Sequence, residues 1–178
     1  MFFSGGGVTF TGGECTLQNK ALAAVIKGLR ENDISVAVES NASTNSYLQI
    51  ARLCDYVITD YKHPDKDKLK SVTGGNLSVI EKNILNIAKE KIIHLRVPLI
   101  HGFNDSDEDF SMFLNFFEKV KKVSADFDLE ILTYHEYGKE KWKKLGLEYK
   151  IINGKVSDER VKIFKEKLLF GGINLIKT

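Results

Sequence analysis

Residues 8–41 read VTFTGGECTLQNKALAAVIKGLRENDISVAVESN, and the change of hydrophobic period inside this stretch decides the fold class. The run Val8-Thr9-Phe10-Thr11 is rich in β-branched and aromatic residues and is closed by Gly12-Gly13, which predicts a short buried strand. Leu22, Val25, Ile26 and Leu29 then fall at i, i+3, i+4 and i+7, with Lys27 and Arg30 on other faces. That spacing predicts an amphipathic helix, stopped by Asn32-Asp33. Ile34 to Val38 returns to a short apolar run, so the stretch is one strand, one helix and one strand, the βαβ unit of a parallel sheet.

Outward from this unit the alternation continues. A modest helix is expected over Tyr47 to Leu53, a strand over Tyr56 to Thr59, and a weaker helix over Val79 to Lys89. Ile92 to Ile100 suits a strand, with Pro98 expected at its end or at a sheet irregularity. Ser106 before Asp107, Glu108 and Asp109 supplies an N-cap, a reciprocal partner three residues on and negative charge at the positive end of the helix dipole. Phe110, Phe113, Leu114, Phe117 and Val120 are the stripe that this helix buries. Leu129 to Thr133 is a fifth strand candidate, followed by a polar aromatic loop through Tyr149, a helix over Ser157 to Phe170 and a final run Ile173 to Ile176. Strands alternating with helices predict an α/β fold, either an open doubly wound sheet or part of a β/α barrel, in a single domain over residues 1–178.

The 178 residues carry 26 basic and 24 acidic side chains spread along the chain. That balance gives no electrostatic footprint for nucleic acid or an anionic membrane surface. The start Met1-Phe2-Phe3 lacks the regions of a signal peptide, and apolar runs stop short of membrane-spanning length, so a soluble, cytoplasmic protein is expected. Cys15 and Cys54 are the two cysteines, too few and too far apart in sequence for a disulfide framework or a complete thiolate metal site.

In parallel α/β folds the functional loops follow the carboxyl ends of the strands. Those positions are polar here: Gly12, Gly13 and Glu14; Glu39, Ser40 and Asn41; Asp60, Tyr61 and Lys62; Arg96 late in its run with His101 after it; Tyr134, His135 and Glu136. Carboxylates, two cations and an imidazole on one rim suit a zwitterionic small molecule. Each group also has a plainer reading. Gly12-Gly13-Glu14 can be a turn opening a helix, Asp60 and Lys62 a solvated ion pair, His135 a hydrogen-bonded core histidine. His63 and His94 read as ordinary surface or packing residues. The glycines fit neither a phosphate loop, with no Lys-Ser/Thr after them, nor the dinucleotide fingerprint. Four lysines, 139, 141, 143 and 144, surround Trp142, a solvated face or a surface for a protein partner.

Taken in order, Ser4-Gly5-Gly6-Gly7-Val8-Thr9-Phe10-Thr11-Gly12-Gly13-Glu14, Asp60-Tyr61-Lys62 and Tyr134-His135-Glu136-Tyr137-Gly138-Lys139-Glu140-Lys141-Trp142 resemble the activating enzymes of glycyl radical enzymes, within the radical S-adenosylmethionine (SAM) proteins. The last motif resembles the pyruvate formate-lyase activating type most. The resemblance implies a partial β/α barrel and, in the parent protein, a [4Fe-4S] cluster that cleaves SAM to a 5′-deoxyadenosyl radical, which takes a hydrogen from a glycine of a partner such as pyruvate formate-lyase. A low-potential donor of the flavodoxin or ferredoxin type is implied as the reductant.

Carried onto this sequence, the resemblance makes Gly12, Gly13 and Glu14 the loop for the methionine amino group. Asp60, Tyr61 and Lys62 border the carboxylate and ribose, Glu39 and Ser40 lie beside them, Arg96 and His135 line the deeper pocket, and Ile100-His101-Gly102 is the adenine turn. The family's Cys-x3-Cys-x2-Cys run is not in this sequence. The expectation is therefore a piece missing the first strand and cluster loop, with no catalytic residue and no metal ligand of its own, and with the Val8 run at an open sheet edge. The alternative is a non-enzymatic β/α ligand-binding or interaction module.

Overall fold

The computed structural model describes residues 6–124, 126–149 and 151–176. Ser4 and Gly5 of the glycine-rich run, with Met1-Phe2-Phe3, lie outside the described residues. Five strands, β1 (Gly7–Phe10), β2 (Ser35–Ser40), β3 (Tyr56–Asp60), β4 (His94–Leu99) and β5 (Asp128–Thr133), form one parallel sheet in chain order, with β1 at an edge. Between and after them run α1 (Asn19–Arg30), α2 (Tyr47–Leu53), α3 (Lys66–Thr73), α4 (Leu77–Ala88), α5 (Asp107–Val123), α6 (Lys139–Lys144) and α7 (Asp158–Phe170).

Sequential strand order decides between the two architectures that alternation alone left open. Parallel crossovers are right-handed, so a sheet that grows in one direction receives every helix on the same face, whereas a doubly wound sheet needs a reversal. The helices touch in that same succession, α1 on α2, α2 on α4, α4 on α5 and α5 on α7. Beneath them Val36, Val38, Val57, Leu95, Val97, Leu129 and Ile131 are buried, while the alternate residues Ala37, Glu39, Ile58, Asp60, His94, Arg96 and Glu130 stand half-buried on the other face. The result is the wall of a partial β/α barrel with its inner face uncovered.

The core between sheet and helices is strongly aromatic. Phe110, Phe113, Phe116, Phe117 and Val120 of α5 are buried, Phe110 stacks on Phe164 of α7 at 4.2 Å, and Phe116 stacks on Tyr61 at 4.3 Å. Each such side chain contributes roughly 1.5–3 kcal/mol through burial. Phe116 takes the place in the stripe expected of Leu114, which is only half-buried. At the start of α5, Ser106 and Asp109 form the reciprocal capping box expected from the sequence.

Besides α6, which forms inside the expected loop and buries no residue, three local features bear on the expectations. Pro98 lies inside β4, paired with Leu132; it does not end the strand but marks the alternative expected of it, a sheet irregularity, since β3 parts from β4 there. The ladder between β3 and β4 stops at Asp60 and Arg96, with Tyr61 N donating to Arg96 O at 2.8 Å. Successive residues of a parallel strand face alternate neighbours. Pro98, two residues past Arg96, therefore faces a side that β3 has left, and its missing N–H costs no rung. Secondly, α3 was not expected; it is capped by Asp65 and closed by Gly74 at φ 71°, but Leu69 is its one buried residue, too little to produce a helical period. Thirdly, the final run makes a single bridge, Leu175 to Leu129, beside β5 and forms no strand.

Candidate functional site

Glu39, Asp60 and Arg96 leave three adjacent strands on the uncovered face of the sheet, because each occupies the same phase of the two-residue alternation. Arg96 Nε donates to Asp60 Oδ1 at 3.0 Å and its Nη2 meets both Asp60, at 2.9 Å, and Glu39. Burial alone would lower the pKa of Arg96, but the bonds and charges of Glu39 and Asp60 outweigh it and raise it. Two carboxylates on one guanidinium are thus held in fixed positions, and the cluster carries one net negative charge. One strand further, His94 Nε2 lies 3.1 Å from Glu130 Oε2, so the polar lining of the face extends to β5.

The Gly12-Gly13-Glu14 loop follows β1. Gly12 adopts φ 137°, which L-residues avoid, and a Cβ on either glycine would meet nothing within 4 Å, so their backbone is open to close approach. Glu14 itself is turned inward. Its Oε1 accepts from Thr16 N at 3.1 Å, Thr16 Oγ1 at 2.5 Å and Ser40 Oγ at 2.8 Å, and its Oε2 accepts from Asn41 N at 2.9 Å. The carboxylate caps the short turn Cys15–Gln18 and ties the β1 loop to the end of β2. Ser40, 5% exposed, spends its hydroxyl on that brace and on accepting from Ala42 N.

Past β3 the chain presents Tyr61, Lys62 and His63. The Tyr61 ring goes to the core, stacked on Phe116, with its hydroxyl donating to Glu81 at 2.7 Å; it is not turned to the rim as the sequence reading placed it. Lys62 is half-buried, and among the described residues its Nζ makes no ion pair. It lines a cleft of about 280 Å³ with Asn41, Ser43, Asp60 and Asn76. Ser43 and Asn76 were not singled out from sequence; Asn76 carries a signal, since it is the N-cap of α4. His135 stands exposed after β5 with its ring stacked on Tyr137 at 4.3 Å, and it makes no bond to Glu39, Asp60 or Arg96. His101 Nδ1 is 2.7 Å from Asp105 Oδ2 on the exposed turn after β4. The structure thus joins Glu39, Asp60 and Arg96, sets Lys62 at an adjoining cleft, uses Glu14 and Ser40 as bracing, and leaves His135 apart.

Both thiols are occupied inside the fold. Cys15 Sγ donates to Glu39 O at 3.5 Å and Cys54 Sγ to Ile50 O at 3.4 Å, and burial pushes both thiols up, Cys54 to about 11. Among the described residues no three His, Cys, Asp or Glu side chains are grouped to hold a metal ion. The donor set of a [4Fe-4S] cluster, three converging thiolates, does not fit this chain. For a zwitterionic ligand of the SAM kind the rim offers Asp60 and Lys62 in one cleft and open glycine backbone in a second hollow after β1. No helix of the described residues is long and apolar enough to cross a membrane.

No family model matches the sequence. The chain is 36% identical over 176 residues to the 4-hydroxyphenylacetate decarboxylase activating enzyme of Clostridioides difficile strain 630, across 96% of this chain and 54% of that protein. It is 33% identical over 171 residues to the pyruvate formate-lyase-activating enzyme of Clostridium pasteurianum, across 93% of this chain and 69% of that one. The chain therefore spans about half the length of the first of these relatives. Among solved structures, a domain of pyruvate-formate lyase-activating enzyme from Bacteroides vulgatus ATCC 8482 shares the fold at a TM-score of 0.76 and 23% identity, over 97% of this chain and 98% of that one. A radical SAM methyltransferase from Sphaerobacter thermophilus shares it at 0.66 and 16% identity, over 96% of this chain and 50% of that one.

Proposed function

This chain belongs to the activating enzymes of glycyl radical enzymes, and from that membership we propose that it carries the SAM-binding rim of an activase for pyruvate formate-lyase or a related glycyl radical enzyme. The observation that carries the reading is the Glu39–Arg96–Asp60 cluster beside the unpaired Lys62, at the carboxyl ends of neighbouring strands on the open face. In the whole protein a [4Fe-4S] cluster, on cysteines this chain does not hold, would supply the electron for reductive SAM cleavage, drawn from a flavodoxin- or ferredoxin-type donor in the cytoplasm.

The chain's own residues bind and orient. Lys62 meets the methionine carboxylate, and the carbonyls of Gly12 and Gly13 accept from the ammonium. Asp60 and Glu39 hold a cation or ribose hydroxyls, and Arg96 keeps the two carboxylates in place. Glu14, Ser40 and Tyr61 act through the backbone they brace, and the turn Ile100-His101-Gly102 contacts the adenine. These contacts are worth about 0.5 to 3 kcal/mol each before ordering costs, so SAM binding by this chain alone is weak.

Titration of the 178-residue chain with SAM, followed by NMR, is expected to shift signals at Lys62, Asp60 and Gly13, with a dissociation constant above about a micromolar. Lys62→Ala is expected to weaken that binding about tenfold or more, the worth of a charge-assisted hydrogen bond, while the melting temperature stays within about 2 °C. Shifts confined to other surfaces, or a Lys62→Ala variant that binds SAM as well as the wild type, would refute the assignment of the rim. For the whole activity, the longer protein is expected to form 5′-deoxyadenosine from SAM and a glycyl radical signal in its partner.

A further inference from the structure

We infer that Asn104 is a positioning residue, a side-chain rung that replaces the missing pairing between the ends of β3 and β4 and so sets where Lys62 stands. The inference rests on the reading of the rim as a SAM site. Asn104 has no exposed surface. Its Nδ2 donates to Lys62 O at 2.9 Å and to Pro98 O at 2.9 Å, and its Oδ1 accepts from Ile100 N at 2.8 Å.

The need for such a group follows from the sheet. Backbone pairing between β3 and β4 ends at Arg96, and Pro98 O points to the side that β3 has vacated. A carbonyl buried there without a donor is strongly disfavoured. An amide with two N–H groups can serve one strand end with each, and its oxygen remains to hold the turn at Ile100. Aspartate lacks the donors, serine has one, and alanine has none.

The same two loops are joined a second time one residue on. His63, also fully buried, lies with Nε2 2.8 Å from Phe103 O, and its Nδ1 accepts from Asp65 N at 2.9 Å. Tyr61 on the other side is held in the aromatic core. Lys62 therefore sits between two buried anchors with its own carbonyl held by Asn104, and only its side chain is left for the cleft. A residue fixed in this way presents its ammonium without the entropy cost of ordering the loop when ligand arrives.

The test uses the 178-residue chain with SAM as the probe. Asn104→Ala is expected to weaken SAM about tenfold and Asn104→Ser by less, since a hydroxyl keeps one donor. In a Lys62→Ala background the Asn104 substitutions are expected to add no further loss, because the two residues act as one unit. Phe164→Leu, which loosens the α5–α7 contact, serves as a control that lowers the melting temperature and leaves SAM affinity unchanged. Independently of ligand, exchange of the Ile100 amide is expected to quicken at least about tenfold in Asn104→Ala. Additive losses in the double variant, or unchanged affinity in a folded Asn104→Ala, would overturn the inference. If the wild type binds no SAM, the SAM reading of the rim falls, and the rung is then judged by Ile100 exchange and the Lys62 carbonyl shift. No change in either would overturn it too, and should Asn104→Ala fail to fold, Asn104→Ser carries the same comparisons.

Discussion

At the scale of single residues, burial decides roles that residue type leaves open. Of the two readings open to His63, surface or packing, the structure selects packing: it is enclosed beside Asp109, whose Oδ1 is 3.5 Å from its Nε2 and 2.9 Å from Lys68 Nζ. Burial lowers the His63 pKa, with the Phe103 carbonyl and Asp109 pulling the other way. Asp109 is also lowered, since its bonds from Ser106 and Lys68 outweigh burial, which alone would raise it. A histidine depressed in the folded state is protonated first in the unfolded chain, so stability falls as pH drops below about 6.5, the unfolded value. The Asp109 contribution is present above about 3.9 and is lost as pH falls further. His63→Gln keeps a donor for Phe103 and removes the titration. Its melting temperature is expected to stay level between about pH 6.5 and 5, where that of the wild type declines; parallel profiles would show that His63 does not set the acid limb.

At the scale of elements, Pro98 and α3 show why local rules need their surroundings. A proline in a central strand normally removes a rung, but β3 has already diverged where Pro98 faces it. Pro98→Ala should therefore cost only the entropy that a proline withholds from the unfolded chain, about 0.4–1 kcal/mol, seen as a small fall in the urea midpoint at constant slope. Val97 faces β5 instead, and Val97→Pro is expected to abolish the cooperative transition. Equal effects of the two substitutions would contradict the alternation assigned to β4. The α5 helix was legible because its cap, dipole charges and phenylalanine stripe agree. In contrast, α3 was obscured because a short, mostly solvated helix needs only its cap and terminal glycine.

At the scale of the molecule, the chain is a half-barrel wall whose helix side is packed and whose inner side is lined with charge. The expectation that its cysteines cannot build a cluster is directly measurable. Anaerobic reconstitution of the 178-residue chain with iron and sulfide is expected to leave no stoichiometric iron and no cluster absorption, because Cys15 and Cys54 are engaged by carbonyls and two cysteines cannot supply three converging thiolates. A stable [4Fe-4S] spectrum in this chain would overturn the division of labour proposed between it and the rest of the activase.

What the sequence determined by itself was everything carried by period and order. The strands and main helices, the parallel α/β class, the capping of α5 and the polar rim at the strand ends all follow from hydrophobic spacing and from residues a few positions apart. The placement of Glu39, Asp60 and Arg96 on one rim was legible for the same reason, since a two-residue repeat and parallel order bring strand ends together. Only the tertiary structure decided which of those rim residues remain free. Glu14 and Ser40 are spent on each other's loop, Tyr61 turns to the α5 aromatics, and His135 stays outside the cluster. Those outcomes depend largely on hydrogen-bond and packing partners far along the chain or on the turn that aims a side chain, and on β3 and β4 parting after Arg96, where Asn104 enters. Such competition among distant groups leaves no local pattern, because it is resolved only when the sheet brings them within bonding distance.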